Sequence, residues 1–288
     1  MQNIKLFIEL TRLDKPIGFM LLFWPCIWGL TLAYNFDDQL YKFFIYAVLF
    51  LFGSILMRSA GCIVNDILDK EFDKKVFRTK NRPIASDKIS IKLAIFYALA
   101  LCFLALLVLI NFNFLTIILA LASMPLAFTY PLMKRFTYWP QLFLGITFNY
   151  GLILGWTSVQ ESMNFIPLIF YFGAIFWTLG YDTIYGYQDI KDDEIIGVKS
   201  TSIKFKNNPK KLLCLCYSIT ILSLILIGIF MKFNLIYFIG LIIVTYHLFI
   251  FQIKKLDIKQ PNVCLKIFKS NNLLGLLVFL YLNFLFDK

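Results

Sequence analysis

Residues 41–73 read YKFFIYAVLFLFGSILMRSAGCIVNDILDKEFD. An apolar run from Tyr41 to Val64, with Arg58 as its one charge beyond Lys42, ends abruptly in Asn65, Asp66, Asp69 and Asp73. The run is long enough to cross a bilayer as a helix. Residues three and four apart share a helix face, so the asparagine and the three aspartates can converge on one point. Three carboxylates on one face repel each other unless a cation sits among them. Hard oxygen ligands of this kind suit Mg²⁺, which usually takes one or two carboxylates together with phosphate oxygens.

The rest of the chain repeats the apolar theme. Of 288 residues, 60% are hydrophobic and 16% charged, with a mean hydropathy of +0.75. Soluble domains are nearer half apolar and a quarter charged, so the expected class is an all-α polytopic membrane protein in lipid. About nine spans are expected, at 17–35, 41–64, 91–111, 113–131, 139–158, 165–185, 212–231, 233–252 and 268–286. The tight junctions at Asn111–Asn113 and Met231–Asn234 predict helical hairpins. Residues Ile4 to Leu13 alternate apolar and charged positions and are expected to lie in the membrane interface. We read residues 1–288 as one transmembrane domain.

A net charge of +11 could suggest nucleic acid, but the distribution excludes it as a partner. By this span assignment 24 of the 28 Lys and Arg fall before span 1, between spans 2–3, 4–5, 6–7 and 8–9, or at the second residue of spans 3 and 9. The other side holds Lys42, Lys232 and Lys288, with Arg58 inside span 2. Positive charge marks the cytoplasmic side, which puts the N-terminus and the long loops there. The six cysteines lie in apolar runs without metal-type pairing and read as small buried hydrophobes.

A second acidic set follows span 6: Asp182, then Asp189, Asp192 and Asp193. Each acidic helix end runs into a loop rich in bases, Arg78, Lys80 and Arg82 in the first, Lys191 and Lys199 in the second. A loop that only sets orientation needs the bases and not the ordered carboxylates, whereas a diphosphate bridged by metal needs both. The repeat of span, acidic end and basic loop hints at two duplicated halves, without a residue-by-residue match. Arg58 lies two turns before Asn65, as a ligand contact or an interior ion pair. Arg135 could be a plain orienting charge, His247 reads as a packed core residue, and Gly151-x-x-x-Gly155 as a close helix contact.

These residues are similar to the UbiA superfamily of intramembrane prenyltransferases, through Asn65-Asp66-x-x-Asp69-x-x-x-Asp73 and Asp189-x-x-x-Asp193. Further resembling strings are Arg12-Leu-Asp-Lys-Pro-Ile-Gly18, Arg58-Ser-Ala-Gly-Cys62, Arg78-Thr-Lys-Asn-Arg-Pro83, Tyr130-Pro-Leu-Met-Lys-Arg135 and Gly180-Tyr-Asp-Thr-Ile-Tyr185. The resemblance implies nine helices and Mg²⁺ held by Asp66, Asp69, Asp73, Asp189 and Asp193, which are also the expected catalytic residues. It implies a polyprenyl diphosphate donor and, within the superfamily, 4-hydroxybenzoate as acceptor, in a bacterial inner membrane with the site facing the cytoplasm. Substrate contacts are expected from Asn65, Arg58, Arg78, Lys80, Arg82, Asp182, Tyr185, Lys191 and Lys199. Arg135 is expected to hold the acceptor carboxylate, with Lys134 left to orientation. Homogentisate, a naphthoate or haem are the competing acceptors. A divalent-cation transporter, the rival of another class, would place its acids nearer the bilayer midplane.

Overall fold

A computed structural model describes residues 2–34 and 40–283. The expected end of the first span at 35, that of the last at 284–286, and Lys288 lie outside the described residues. Helix α1 (Gln2–Thr11) is the amphipathic segment, and the chain leaves it through Arg12 in a left-handed conformation, φ 55°. There follow α2 (Ile17–Ala33), α3 (Leu40–Leu68), the single turn α4 (Lys70–Asp73), α5 (Ile91–Leu109) and α6 (Phe114–Thr129). A 3₁₀ turn leads into the short α7 (Met133–Phe136), then α8 (Pro140–Asn149), α9 (Gly151–Gln160) and α10 (Phe165–Gly186). The last third holds the short α11 (Ile190–Ile196) and α12 (Thr201–Lys204), then α13 (Pro209–Phe230), α14 (Leu235–Tyr246) and α15 (Pro261–Asn283).

Among the described residues eight helical segments are long and apolar enough to cross a membrane, and α2 is a shorter apolar helix beside them. The expected nine runs are thus all helical, with two shifted boundaries. The second continues to Leu68, because Asn65 and Asp66 still sit on the helix and the break comes at Asp69 (φ −98°, ψ 4°). The last begins at Pro261, whose fixed φ suits a first helical turn, so Lys266 and Lys269 belong to the helix. The two hairpin junctions form as expected, with Asn113 and Asn234 capping the helices that follow, accepting from the amides of Thr116 and Tyr237.

The bundle sorts into inner and outer helices. From Trp24 to Ala33, α2 is buried on every side, as a helix apolar all round should be. It crosses α9 so closely that a Cβ at Gly29 would strike the Leu152 carbonyl, and one at Gly155 would strike that of Cys26. The glycine pair at 151 and 155 therefore makes the expected helix contact. Trp28 donates to the Gly275 carbonyl at 3.0 Å and Trp24 to Asn272 Oδ1 at 2.9 Å, tying α15 to the same inner helix. By contrast α5 turns Phe96, Leu99 and Phe103 outward, the surface expected of lipid-facing residues. His247 is buried, with Nδ1 3.3 Å from Gln252 Nε2, in a π-helical continuation of α14 (His247–Lys254). All six cysteines are free.

Candidate active site

The boundary where α3 gives way to α4 faces the boundary where α10 gives way to α11, across one cavity of about 850 Å³. Asn65, Asp69, Asp73, Arg78 and Arg82 line it from the first acidic segment and its loop, and Arg58 from within α3. Asp182, Tyr185, Asp189, Asp193 and Lys199 line it from the second. Two segments more than a hundred residues apart in sequence thus build one site.

The first acidic set is deep. Asp66 is 1% exposed and takes Arg12 on Oδ1, together with Arg82 Nη1 at 3.1 Å. The same Arg82 Nη1 reaches Asp73 Oδ2 at 2.7 Å, so one guanidinium bridges two carboxylates. Asp69 takes Lys134 Nζ on Oδ2 at 2.5 Å. The second set is nearer the surface. Arg78 grips Asp189 with Nε, at 2.8 Å from Oδ1, and with Nη2 on Oδ2, while its Nη1 donates to the Tyr185 hydroxyl at 3.1 Å. The two loops also touch directly, the Phe77 amide donating to Asp192 Oδ2 at 3.1 Å.

Two carboxylate oxygens remain over: Asp66 Oδ2 and Asp69 Oδ1 are buried without any hydrogen-bond partner. An unpartnered buried anion is costly, so these oxygens fit a cation. Burial raises the Asp69 carboxyl above the ordinary range even against the pull of Lys134. Burial, with Asp189 beside it, pushes Asp193 up to about 6. In both groups burial outweighs the bases that stand near them. Among the described residues no three acidic, His or Cys side chains form a ready metal-binding group.

Three expected contacts are not brought to the cavity. Lys80 is exposed and lies over the Phe77 ring at 4.7 Å, and Lys191 is exposed on α11. Arg135 is exposed too: its Nη2 donates to the Leu68 carbonyl at 2.6 Å and its guanidinium lies over Phe72. Neighbouring residues on a helix point about 100° apart, so on α7 only one of Lys134 and Arg135 can face inward. Lys134 does, and it lines the cavity. The resemblance expects Arg135 at the acceptor and Lys134 as an orienting charge, whereas the structure brings Lys134 to the cavity and leaves Arg135 outside it. Arg12 was the other omission; it stood inside the resembling string that starts at residue 12, and that was its only signal.

A membrane-embedded bundle with two facing carboxylate sets, each interleaved with bases, has the layout of an enzyme acting on a diphosphate at the bilayer surface. Residues 22–282 match the UbiA prenyltransferase family, and the chain belongs to it. It is 45% identical over 276 residues to the 4-hydroxybenzoate polyprenyltransferase, mitochondrial, of Bos taurus, covering 95% of this chain and 73% of that protein. The Homo sapiens protein of the same name matches with the same identity and coverage. A UbiA homolog from Archaeoglobus fulgidus, solved bound to GPP and Mg²⁺, superposes with a TM-score of 0.70 at 17% identity, over 96% of this chain and 98% of that one. At that identity the likeness speaks for the fold.

Proposed function

We propose that the chain transfers a polyprenyl group from a polyprenyl diphosphate to the ring carbon ortho to the hydroxyl of 4-hydroxybenzoate. The observation that carries this reading is one cavity in which aspartates of both sets meet Arg12, Arg58, Arg78, Arg82, Lys134 and Lys199, in a chain 45% identical to proteins named for that reaction. Bound between Asp66, Asp69 and Asp73 on one side and Asp189 and Asp193 on the other, Mg²⁺ would act as a Lewis acid and neutralise diphosphate charge.

The chain's own residues do the rest. Arg12, Arg78, Arg82 and Lys134 now rest on carboxylates and can offer the same N–H groups to the oxygens of the leaving diphosphate. As the allylic C–O bond breaks, positive charge grows on the prenyl carbon. Tyr130, Phe148, Tyr181, Tyr185 and Phe268 wall the cavity, exclude water and present ring faces to that charge, each contact worth ~0.5–2 kcal/mol. The acceptor carbon forms the new C–C bond, and its proton leaves to a basic oxygen of the site.

The finer location belongs to the same proposal: a bacterial inner membrane, with the site on the cytoplasmic face and the whole chain as one domain. The Lys and Arg bias between alternate loops supports the orientation. The test uses sealed vesicles of both orientations, given Mg²⁺, a short soluble prenyl diphosphate and 4-hydroxybenzoate, with products identified by mass. The ortho-prenylated acid is expected from inverted vesicles. Prenylation of homogentisate or a naphthoate instead would overturn the acceptor, and product from right-side-out vesicles would overturn the orientation.

A further inference from the structure

Arg12, Arg78, Arg82 and Lys134 must give up their aspartates before they can meet a diphosphate, but one donor on the cavity needs no such exchange. Gln141 stands in the first turn of α8, lines the cavity and is 7% exposed. Its Oε1 accepts from the Thr201 backbone amide at 3.0 Å, and that N–H partner fixes which end of the side-chain amide is oxygen. Nε2 is therefore turned the other way, and among the described residues it makes no hydrogen bond. A buried donor left unpaired is costly, so Nε2 calls for an acceptor from the cavity.

The frame around this amide is rigid. Thr201 is fully buried, its hydroxyl lies 2.6 Å from that of Thr183 on α10, and the Ser202 hydroxyl donates to the Thr183 carbonyl at 2.8 Å. The nearby Lys199 amide donates to the Lys134 carbonyl at 2.8 Å, so residues 199–201 tie Gln141 to Lys134. A Cβ at Gly186 would stand 3.6 Å from Nε2, which places the donor against the end of α10, three residues before Asp189. Phe148, seven residues along α8, lines the cavity roughly 10 Å further down the helix axis. Gln141 thus belongs to the end of the cavity that holds the carboxylates, between Lys134 and the second acidic segment.

We infer that Gln141 donates through Nε2 to an oxygen of the leaving diphosphate and is a catalytic residue of the prenyl transfer. This rests on the reading of the chain as a transferase acting on a prenyl diphosphate. When the allylic C–O bond breaks, its electron pair stays on the diphosphate oxygen, whose negative charge rises as positive charge grows on the prenyl carbon. A fixed neutral donor stabilises that rising charge without first releasing a carboxylate, and no proton has to move. An amide also adds no positive charge that would repel the prenyl cation.

The test compares the unaltered chain with Gln141→Glu and Gln141→Met. Glu keeps an oxygen for the Thr201 amide and removes only the donor, whereas Met removes both. Each variant should lower kcat roughly 10–100-fold while the KM for 4-hydroxybenzoate stays within about twofold. Inorganic diphosphate with Mg²⁺ should inhibit both variants at least about fivefold more weakly, a change that a residue merely holding α12 would not produce. Normal turnover by either variant, unchanged diphosphate inhibition, or a defect confined to the acceptor KM would overturn the assignment. The rise in Tm that Mg²⁺ and inorganic diphosphate give the unaltered chain in detergent should be smaller in Gln141→Glu, and in Gln141→Met should Gln141→Glu fail to accumulate. That shift reads the contact without turnover. No product from the unaltered chain would overturn the transfer reading, and an equal Tm rise with and without Gln141 would overturn this inference by itself.

Discussion

The two acidic segments line one cavity from different settings. Asp66 and Asp69 are 1% and 2% exposed, and their bases come from three distant parts of the chain: Arg12, Arg82 and Lys134. Asp189 is 15% exposed and, among the described residues, is held by Arg78 alone, which is itself 40% exposed. The first segment is therefore part of how the bundle is assembled, while the second is a surface half that can adjust. A buried carboxylate with several donors resists movement, whereas an exposed ion pair is screened and worth little to the fold.

The contrast breaks most sharply at Asp66 and Asp189. Alanine at either should cut turnover at least ~100-fold, because each removes a charge that the other set cannot supply. The two should separate in stability. Asp66→Ala leaves Arg12 without its acidic partner and should lose on the order of 3 kcal/mol, seen as a lower Tm in detergent. Asp189→Ala should leave Tm nearly unchanged. Equal Tm losses would show that the two halves are equally built in.

A smaller effect sharpens the assignment on α7. Lys134→Ala removes the only base bonded to Asp69 among the described residues and should raise donor KM roughly 10-fold. Arg135→Ala should change either KM by less than about threefold, because its bond goes to a backbone carbonyl outside the cavity. Steady-state kinetics on both variants decide it, and the reverse ranking would return the role to Arg135. The smallest effects belong to Lys80→Ala and Lys191→Ala, both exposed and outside the cavity, which should stay within about twofold of the unaltered chain.

What could be read from the residues follows from what is local. Apolar runs report their own burial, so the helical segments were legible nearly to their ends. The convergence of 65–73 and 182–193 was legible because acids at a membrane boundary demand a shared counter-charge. Helical phase was not legible across an irregular turn. Lys134 and Arg135 follow a 3₁₀ turn at Tyr130–Leu132, and nothing in their spacing says which of them faces inward. The continuous face expected through Asp73 is likewise broken at Asp69, whose backbone leaves the helical region. Nor could spacing pair Arg12 with Asp66, 54 residues apart, since that contact depends on how the first helix lies against the third.

The crossing of α2 over α9 also bears on how such a chain can drift. At Gly29 and Gly155 even one methyl group would collide with backbone of the facing helix, so neither position can accept any other residue without parting the two helices. On the outward side of α5, Phe96, Leu99 and Phe103 are exposed and can be exchanged among apolar types at little cost. Random substitution across the whole chain would leave a map with two intolerant points on the inner pair and a broad permissive band outside. The bundle's history of change is thereby steered to its rim, while the helix pair at its centre stays fixed.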